Sequence, residues 1–395
     1  MDSEKKLKNS VFLSVKPLLL LERCYGIFRF KWENNLYTSF NCKMKIIGFL
    51  IYLTIAIIYL TFGVGSIAHI NFSRSMDIFP RIILFIQYSV TVTVCLFLDG
   101  RTNIKIFTVL DDIDAALYLD KNEEIYRKSR AETRILLILI ALSIIFMLIY
   151  ITFDHIINIK FELIFVTMLY CQREIQIALF YKLMGIICQR LTVINNYLSK
   201  FITQMVNKKY FNATKLHNVV RVGECYNYIG PINTNNLKIR DLASVYSKIG
   251  DVCQMINDTF NFLIITLLFT TFSFIIILFW TSLLDFQSYR SLRYLIRIVI
   301  WTSSEIIKVI IIVYNCEKLL NVKQETNLLI NKIVMNYHLP KRMRVQAKVF
   351  IQTMEAWQLR VCVYDMISID LQMIFKFLSL CVTYLIVVIQ VTHCI

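Results

Sequence analysis

The sequence predicts an all-α integral membrane protein with seven transmembrane helices, a cytosolic amino terminus and an extracellular carboxyl terminus. Three observations lead to this fold class: a mean hydropathy of +0.59, several long apolar runs without charge, and basic residues concentrated in alternate loops. With 57% hydrophobic residues, the 395-residue chain is more apolar than soluble domains, whose apolar share is about 45–50%. We therefore expect the bilayer to be the solvent for much of the chain.

Five runs free of Lys, Arg, Asp and Glu approach or exceed the roughly 20 helical residues that cross a bilayer. They are residues 46–72, 82–98, 135–153, 260–284 and 377–395. The second run is the shortest, and it follows Pro80, which suits the first turn of a helix. Residues 1–44 are charged rather than apolar, so we expect the first run, not a cleaved signal peptide, to direct insertion.

The distribution of charge adds two more crossings. Five spans would leave residues 154–259 outside, and one added span within them would leave residues 285–370 outside instead. Both stretches are rich in Lys and Arg, and basic loops tend to stay in the cytosol. Residues 162–187 and 295–316 are apolar apart from a few charged positions, and counting them as spans places most of the 43 basic residues in the cytosol. The sequon at Asn71 then lies in the first outer loop as a candidate glycosylation site.

This topology divides the chain into six parts. They are a cytosolic amino-terminal segment (1–45), helices one to four (46–187), a cytosolic helical extension and linker (188–259), helices five and six (260–316), cytosolic helices of an anchor layer (317–370), and the last helix with the extracellular carboxyl terminus (371–395).

Helical patterns in the cytosolic parts predict the anchor layer. No Pro interrupts residues 162–206, which predicts one helix of roughly 65 Å that extends beyond the bilayer. Residues 207–240 have the composition of a flexible connector. Residues 317–338 and 341–366 are predicted to form two amphipathic helices around Pro340. These extensions are expected either to stack into a layer that joins subunits or to stand as separately solvated helices.

The last span carries a polar stripe. At 100° per residue, six side chains of this span fall within an arc of about 80°; they are Lys376, Ser379, Thr383, Val387, Gln390 and Cys394. Unpaired polar groups in hydrocarbon are costly, so such a stripe faces protein or water. It predicts either a water-filled path shared between subunits or packing through interhelical hydrogen bonds.

The same span resembles a known family. Residues 383–391, with Thr383-Tyr384, five apolar residues and then Gln390-Val391, resemble the carboxyl-terminal signature of insect gustatory receptors, which is Thr-Tyr, five apolar residues and Gln-Phe. Residues 365–376 resemble the family's approach to this helix, and residues 16–20 with 26–28 its beginning. Val391 departs from the usual Phe, and Leu385 stands where the sugar-receptor branch has Glu.

The resemblance implies a ligand-gated, non-selective cation channel in the plasma membrane of a chemosensory neuron. It implies a homotetramer, or a heterotetramer with related receptors, whose pore is lined by the last helices of four subunits and conducts monovalent and divalent cations. The family's narrowest point maps to Val387 and Gln390, with Thr383 and Val391 beside them. Lys376 fits a cation path poorly, and we expect it to reach the inner interface or to pair with a carboxylate such as Asp370.

Aromatic and hydrogen-bonding residues in the outer halves of the second to sixth spans predict a pocket for a small-molecule tastant, since such pockets are mostly apolar with a few placed polar groups. The candidates are Gln87, Tyr88, Tyr150, Asp154, Tyr170, Arg173, Trp280, Trp301, Ser304 and Glu305. Ionisable residues within spans are expensive unless paired, which singles out Arg173 and Glu305. The alternatives are an interfacial aromatic belt and a simple pair between Glu305 and Lys308.

Other classes fit less well. An odorant receptor that needs a co-receptor shares the predicted fold. A G-protein-coupled receptor has an outside amino terminus and commonly carries kinking prolines within its spans, and a secondary transporter has inverted repeats and broken helices.

The sequence has no enzyme motif, phosphate loop or metal-ligand spacing, so we expect no catalytic activity, cofactor or metal. We attribute the +16 net charge to basic cytosolic loops and not to nucleic-acid binding. Membrane lipid is the expected environment of the chain.

Overall fold

The computed structural model describes residues 11–33, 36–63, 72–98, 100–119, 123–154, 161–213, 238–287, 292–337, 339 and 341–393. Within these ranges almost every residue is helical, apart from two short antiparallel hairpins. Asn71, the candidate glycosylation site, and most of the predicted connector at 207–240 lie outside the described residues.

The amino-terminal half begins with a short helix and a hairpin before the first long apolar helix. Its elements are α1 (Val11–Cys24), β1 (Lys31–Glu33), β2 (Leu36–Thr38), α2 (Cys42–Ile58, then a π-turn at Tyr59–Gly63), α3 (Phe72–Thr93, then a π-turn at Val94–Leu98), α4 (Gly100–Ala116) and α5 (Glu123–Asp154). The segment predicted only as cytosolic thus contains α1, whose buried residues pack against α5 and against the long helix that follows α5.

Three long helices form the centre of the subunit. They are α6 (Phe161–Ala213), α7 (Lys238–Gln287) and α8 (Leu292–Met335), and each packs against the other two. Helix α6 has 53 residues, which gives a length of about 80 Å, so the predicted extension of the fourth helix is confirmed. The sixth predicted span continues into the helix predicted after it without a break.

Five described helices are long and apolar enough to cross a membrane. Their apolar stretches are Cys42–Thr61, Phe79–Phe97, Val166–Thr203, Ile239–Trp280 and Ile298–Met335, and Leu371–Val387 is a shorter one. The remaining predicted span, 135–153, lies within α5. The described parts of the predicted apolar runs therefore fall within helices.

A tight contact joins the end of α1 to the first apolar helix. Gly26 adopts a left-handed conformation with φ of +76°, and its carbonyl oxygen lies 2.8 Å from where a Cβ on Gly48 would stand. Such a φ is easily adopted only by glycine. A side chain on either residue would therefore separate α1 from α2.

The prediction of a helix over 341–366 is wrong in its second half. Helix α9 spans Lys341–Ala356, and β3 (Cys362–Val363) then pairs with β4 (Ile367–Ser368). Tyr364 and Asp365 close the turn with φ of 48° and 57°, and the last helix, α10 (Leu371–His393), follows. Val361 and Val363 are buried, as expected when burial rather than helix propensity decides the conformation of a short segment.

Asn257 of α7 holds this hairpin in place. Its side-chain Nδ2 donates to the Cys362 carbonyl oxygen at 2.8 Å, and its Oδ1 accepts from the Cys362 N–H at 3.1 Å. Asn257 is itself buried, at 7% exposure. The segment that starts α10 is therefore fixed to α7 through two backbone hydrogen bonds.

A buried charged cluster joins β2, α4 and α6. Arg190 donates from Nε and Nη2 to the two oxygens of Asp114 at 2.8 and 2.7 Å, and the Tyr37 hydroxyl donates to Asp111 at 2.7 Å. Burial raises the pKa of Asp111 to about 6, although the hydrogen bond from Tyr37 acts in the opposite direction. The cluster fixes the hairpin β1–β2 against the central helices.

Candidate ligand site and pore helix

Helix α10 lies on the outside of the subunit and contacts it along one face only. Met373 and Cys381 are buried on that face, and the Tyr384 ring packs edge-on against Phe272 of α7 with centroids 5.3 Å apart. Elsewhere the helix is uncovered, and Phe375 is 73% exposed. A single subunit therefore leaves most of this apolar helix without a protein neighbour.

The predicted polar stripe lies on the uncovered side. Thr383 and Gln390 are exposed, and at 100° per residue they lie about 160° and 180° around the helix from Cys381. Val387, between them, is 48% exposed. The structure thus brings the candidate pore residues together on a face that points away from their own subunit, while the side chain of Val391 lies outside the described part.

The start of α10 is capped by a carboxylate. Asp370 accepts from the Met373 N–H and from the Ser368 hydroxyl, both at 2.9 Å, which is the expected role of an N-cap residue. Lys376 is exposed. The carboxylate suggested as the partner of Lys376 therefore serves as the helix cap.

Two oppositely charged pairs meet inside the helical bundle. Arg173 of α6 donates from Nη1 to Glu305 of α8 at 3.0 Å, and Lys308 donates to the other oxygen of Glu305 at 2.7 Å. The Lys308 Nζ is also 3.6 Å from Glu174. Arg173 and Glu305 have side chains that are 0% exposed, so each charge depends on the others for compensation.

Aromatic rings border this charged group. The Tyr170 ring lies 4.4 Å from the Trp301 ring, and Trp301 stacks on Phe274 of α7. The Arg173 guanidinium and the Lys308 ammonium both lie over Tyr170, at 5.4 and 5.3 Å from its centroid, where a cation is attracted by the ring. The arrangement combines an apolar wall with fixed hydrogen-bonding groups, as small-molecule sites do.

The structure brings together only some of the candidate ligand residues. Tyr170, Arg173, Trp301 and Glu305 form the group just described. Tyr88 lies in a separate cluster with α2 and with the segment that follows α1, where its hydroxyl donates to the Tyr25 carbonyl oxygen at 2.9 Å.

The other candidates are more scattered. Gln87 donates to Gln176 at 3.3 Å, and Trp280 and Ser304 are half-buried. The backbones of Tyr150 and Asp154 belong to α5, but their side chains lie outside the described part.

Sequence reasoning missed several members of the site. Glu174 enters the charged group through Lys308 and also accepts from Ser143 of α5 at 3.0 Å, and Phe274 supplies an aromatic wall from α7. Lys308 was considered only as a local partner of Glu305, which it is, but Glu305 bonds to Arg173 as well. The available signal was that both carboxylates and both cations interrupt otherwise apolar spans.

Known proteins share this fold. The structure of the insect olfactory receptor OR5 from Machilis hrabei in complex with eugenol has a TM-score of 0.67 to this chain, with 11% sequence identity over 95% of this chain and 97% of that one. A second structure of the same receptor gives the same TM-score, identity and coverage. At this identity the likeness establishes the fold alone.

Sequence comparison identifies the family directly. No curated protein sequence matches the chain, but residues 15–392 match the family described as 7tm chemosensory receptor. The match covers nearly the whole length, and it agrees with the resemblance of the last helix to insect chemoreceptors. The chain is a multi-pass helical membrane protein and belongs to the 7tm chemosensory receptor family.

Proposed function

We propose that this chain is a gustatory receptor: a ligand-gated, non-selective cation channel of the plasma membrane, opened by small-molecule tastants and assembled as a homotetramer or with related subunits. The observation that carries the proposal is the uncovered helix α10, with Thr383, Val387 and Gln390 on the face opposite its own subunit. A polar face of a helix in a membrane is stable only against water or protein. Four such helices around an axis would supply both.

The gustatory assignment is supported by the Thr383-Tyr384 and Gln390 pattern of the last helix, which resembles the gustatory signature. The fold is equally that of the insect olfactory receptor OR5, one of whose structures contains eugenol. An odorant receptor would need a co-receptor to conduct. The gustatory and odorant assignments can be separated by expressing the chain alone and together with an insect co-receptor. Cation current evoked by a tastant panel in cells that express the chain alone supports a self-sufficient gustatory channel.

The pore assignment is tested by substitution on the stripe. Val387→Ala and Gln390→Ala are expected to change basal current or ion selectivity, because a ring of four side chains sets dewetting and ion coordination at a constriction. Val382→Ala is the matched control, since Val382 is 54% exposed on the same helix but lies about 140° away from Val387. If all three variants match wild type in current and ion selectivity at equal surface expression, this face of α10 does not line the pore.

The ligand pocket is proposed at the group of Tyr170, Arg173, Trp301 and Glu305, with Tyr150 as a further candidate. A ligand that binds there would shift a closed–open equilibrium by its differential affinity for the two states. Single Ala substitutions at Tyr150, Tyr170, Trp301 or Glu305 should shift the half-activating concentration and leave single-channel conductance unchanged. Unchanged sensitivity in all four variants at the cell surface would place the pocket elsewhere.

The proposed topology places the amino terminus inside and Asn71 outside. Epitope tags at the two ends test it directly: in unpermeabilised cells only the carboxyl-terminal tag should bind antibody. Labelling of the amino-terminal tag alone would reverse the orientation.

A further inference from the structure

Arg173 carries two buried hydrogen-bond donors that no described residue satisfies. Its Nη1 donates to Glu305 at 3.0 Å, but Nε and Nη2 have no hydrogen-bond partner within the described ranges. These two atoms form one edge of the planar guanidinium and point in the same direction. Because charged donors buried without partners are costly, this edge is suited to an acceptor that comes from outside the chain.

Aromatic and aliphatic side chains lie beside Arg173. Arg173 lies over the Tyr170 ring, Trp301 contacts Tyr170 at 4.4 Å between centroids, and buried Leu84 of α3 packs in the same cluster as Tyr170. A molecule that bonds to the guanidinium edge would therefore place the rest of its body beside rings and aliphatic carbon. A compact apolar or aromatic body fits this wall.

The charges of the group decide which acceptor fits. Arg173 and Lys308 are balanced by Glu174 and Glu305, so these four side chains sum to zero. The charge of Arg81, on α3, also reaches this group, and Arg81 has an interaction of its own. An anionic ligand would add an uncompensated charge inside the bundle, which is expensive in a low-dielectric region. A neutral oxygen accepts from the same two donors and leaves the balance unchanged.

We propose that the Nε–Nη2 edge of Arg173 binds a neutral small molecule through a carbonyl or ether oxygen attached to a compact aromatic or apolar body. This inference rests on the proposed function, because it names the chemical class of ligand that the receptor detects. Such a site would bind neutral oxygen-bearing compounds more tightly than hydrocarbons of the same shape and more tightly than carboxylates.

Matched probes test the class on the unmodified receptor. Acetophenone, α-methylstyrene and benzoate share a ring and differ in the acceptor: a neutral carbonyl, a CH₂ in its place, and an anion. Further triplets built in the same way on larger and smaller rings extend the panel. Two quantities are measured, the melting temperature of the purified full-length receptor, which binding raises, and the cation current in cells.

We expect the ketone of at least one triplet to bind at a concentration at least tenfold lower than its alkene and its carboxylate, since an unmade hydrogen bond to a charged group costs at least this much. The proposal is overturned if alkenes match ketones throughout, if carboxylates bind more tightly, or if no ketone raises the melting temperature.

Two variants locate the effect at Arg173. In Arg173→Met the preference of ketone over alkene should fall to about twofold or less. In Glu305→Gln the four-residue group carries one net positive charge, so benzoate should gain about tenfold or more relative to acetophenone. Lys332→Met, which removes an exposed cation from the same helix as Glu305, is the control and should change neither ratio.

The outcomes remain separable when one part fails. If Arg173→Met does not reach the membrane, the wild-type triplets and Glu305→Gln still decide the proposal. Ketone-dependent stabilisation without current from any compound would refute the channel function and leave the binding class standing. Current evoked only by hydrocarbons or carboxylates would refute the binding class and leave the channel standing.

Discussion

Removal of the Asn257 side chain should loosen the hairpin from which α10 starts. In Asn257→Ala, the Cys362 N–H and carbonyl oxygen lose bonds of 3.1 and 2.8 Å. A buried hydrogen bond contributes about 0.5–1.5 kcal/mol, so two bonds amount to about 1–3 kcal/mol. At about 1.4 kcal/mol per tenfold, local opening of the hairpin should become roughly 5 to 150 times more frequent.

Hydrogen exchange measures this opening directly. Amides of residues 361–369, including the Ile369 N–H that bonds to the Val361 carbonyl oxygen at 2.9 Å, should exchange faster in the variant by that factor, since protected amides exchange through local opening. Asn331→Ala is the matched control, because the Asn331 side chain bonds only on an exposed helix surface, to Asn327. If exchange over 361–369 is the same in Asn257→Ala, Asn331→Ala and wild type, the hairpin is held by other contacts.

Three further substitutions within helices have distinct expected outcomes. Gly250→Ala should lower the melting temperature by an amount equivalent to about 1–3 kcal/mol, because its Cβ would stand 2.8 Å from the Trp357 ring. Gly185→Ala, also within a helix but with nothing within 4 Å of its Cβ, should instead raise the melting temperature; equal shifts would contradict the packing at Trp357. Asp111→Asn should remove a pH dependence of the melting temperature. Because burial raises the folded pKa of Asp111 from 3.8 to about 6, its contribution to stability is present at low pH and is lost as the pH rises from about 4 to about 6. If the melting temperatures of the variant and of wild type change in parallel across that range, this reasoning is refuted.

Much of the helical architecture could be predicted from the sequence, because it depends on local pattern. Absence of charge marks the spans at 46–72 and 260–284, and absence of Pro predicts the uninterrupted helix α6. The polar stripe of α10 depends only on helical periodicity. These features need no knowledge of what packs against them.

The hairpin β3–β4 could not be predicted in the same way. Its turn uses Tyr364 and Asp365 at positive φ rather than the Asn-Gly or Gly-rich pair that usually marks such a turn. The bonds that stabilise it come from Asn257, 105 residues earlier in the chain. Buried apolar residues on both sides of the turn fit a helix equally well, so the local sequence favoured the wrong element.

The candidate site was predicted in part for a related reason. The cost of charge in a span identifies Arg173 and Glu305 individually, but their pairing joins positions 132 residues apart. Tyr88 has the same residue type as Tyr170 and a similar predicted depth, yet it faces α2 and the segment that follows α1. Depth along a helix can be estimated from sequence, whereas the direction in which a side chain faces depends on the neighbouring helices.

The uncovered position of α10 has a consequence for genetic variation in this chain. Because its exposed side contributes little to the core of its own subunit, a substitution at Phe375, Thr383 or Val387 should leave the folding of a single copy nearly unchanged. In the proposed tetramer, such changes would act only after the subunits have associated. Inherited variants on this side of the helix should therefore alter electrical behaviour while protein abundance stays normal, whereas variants at buried Cys381 or Met373 should reduce abundance.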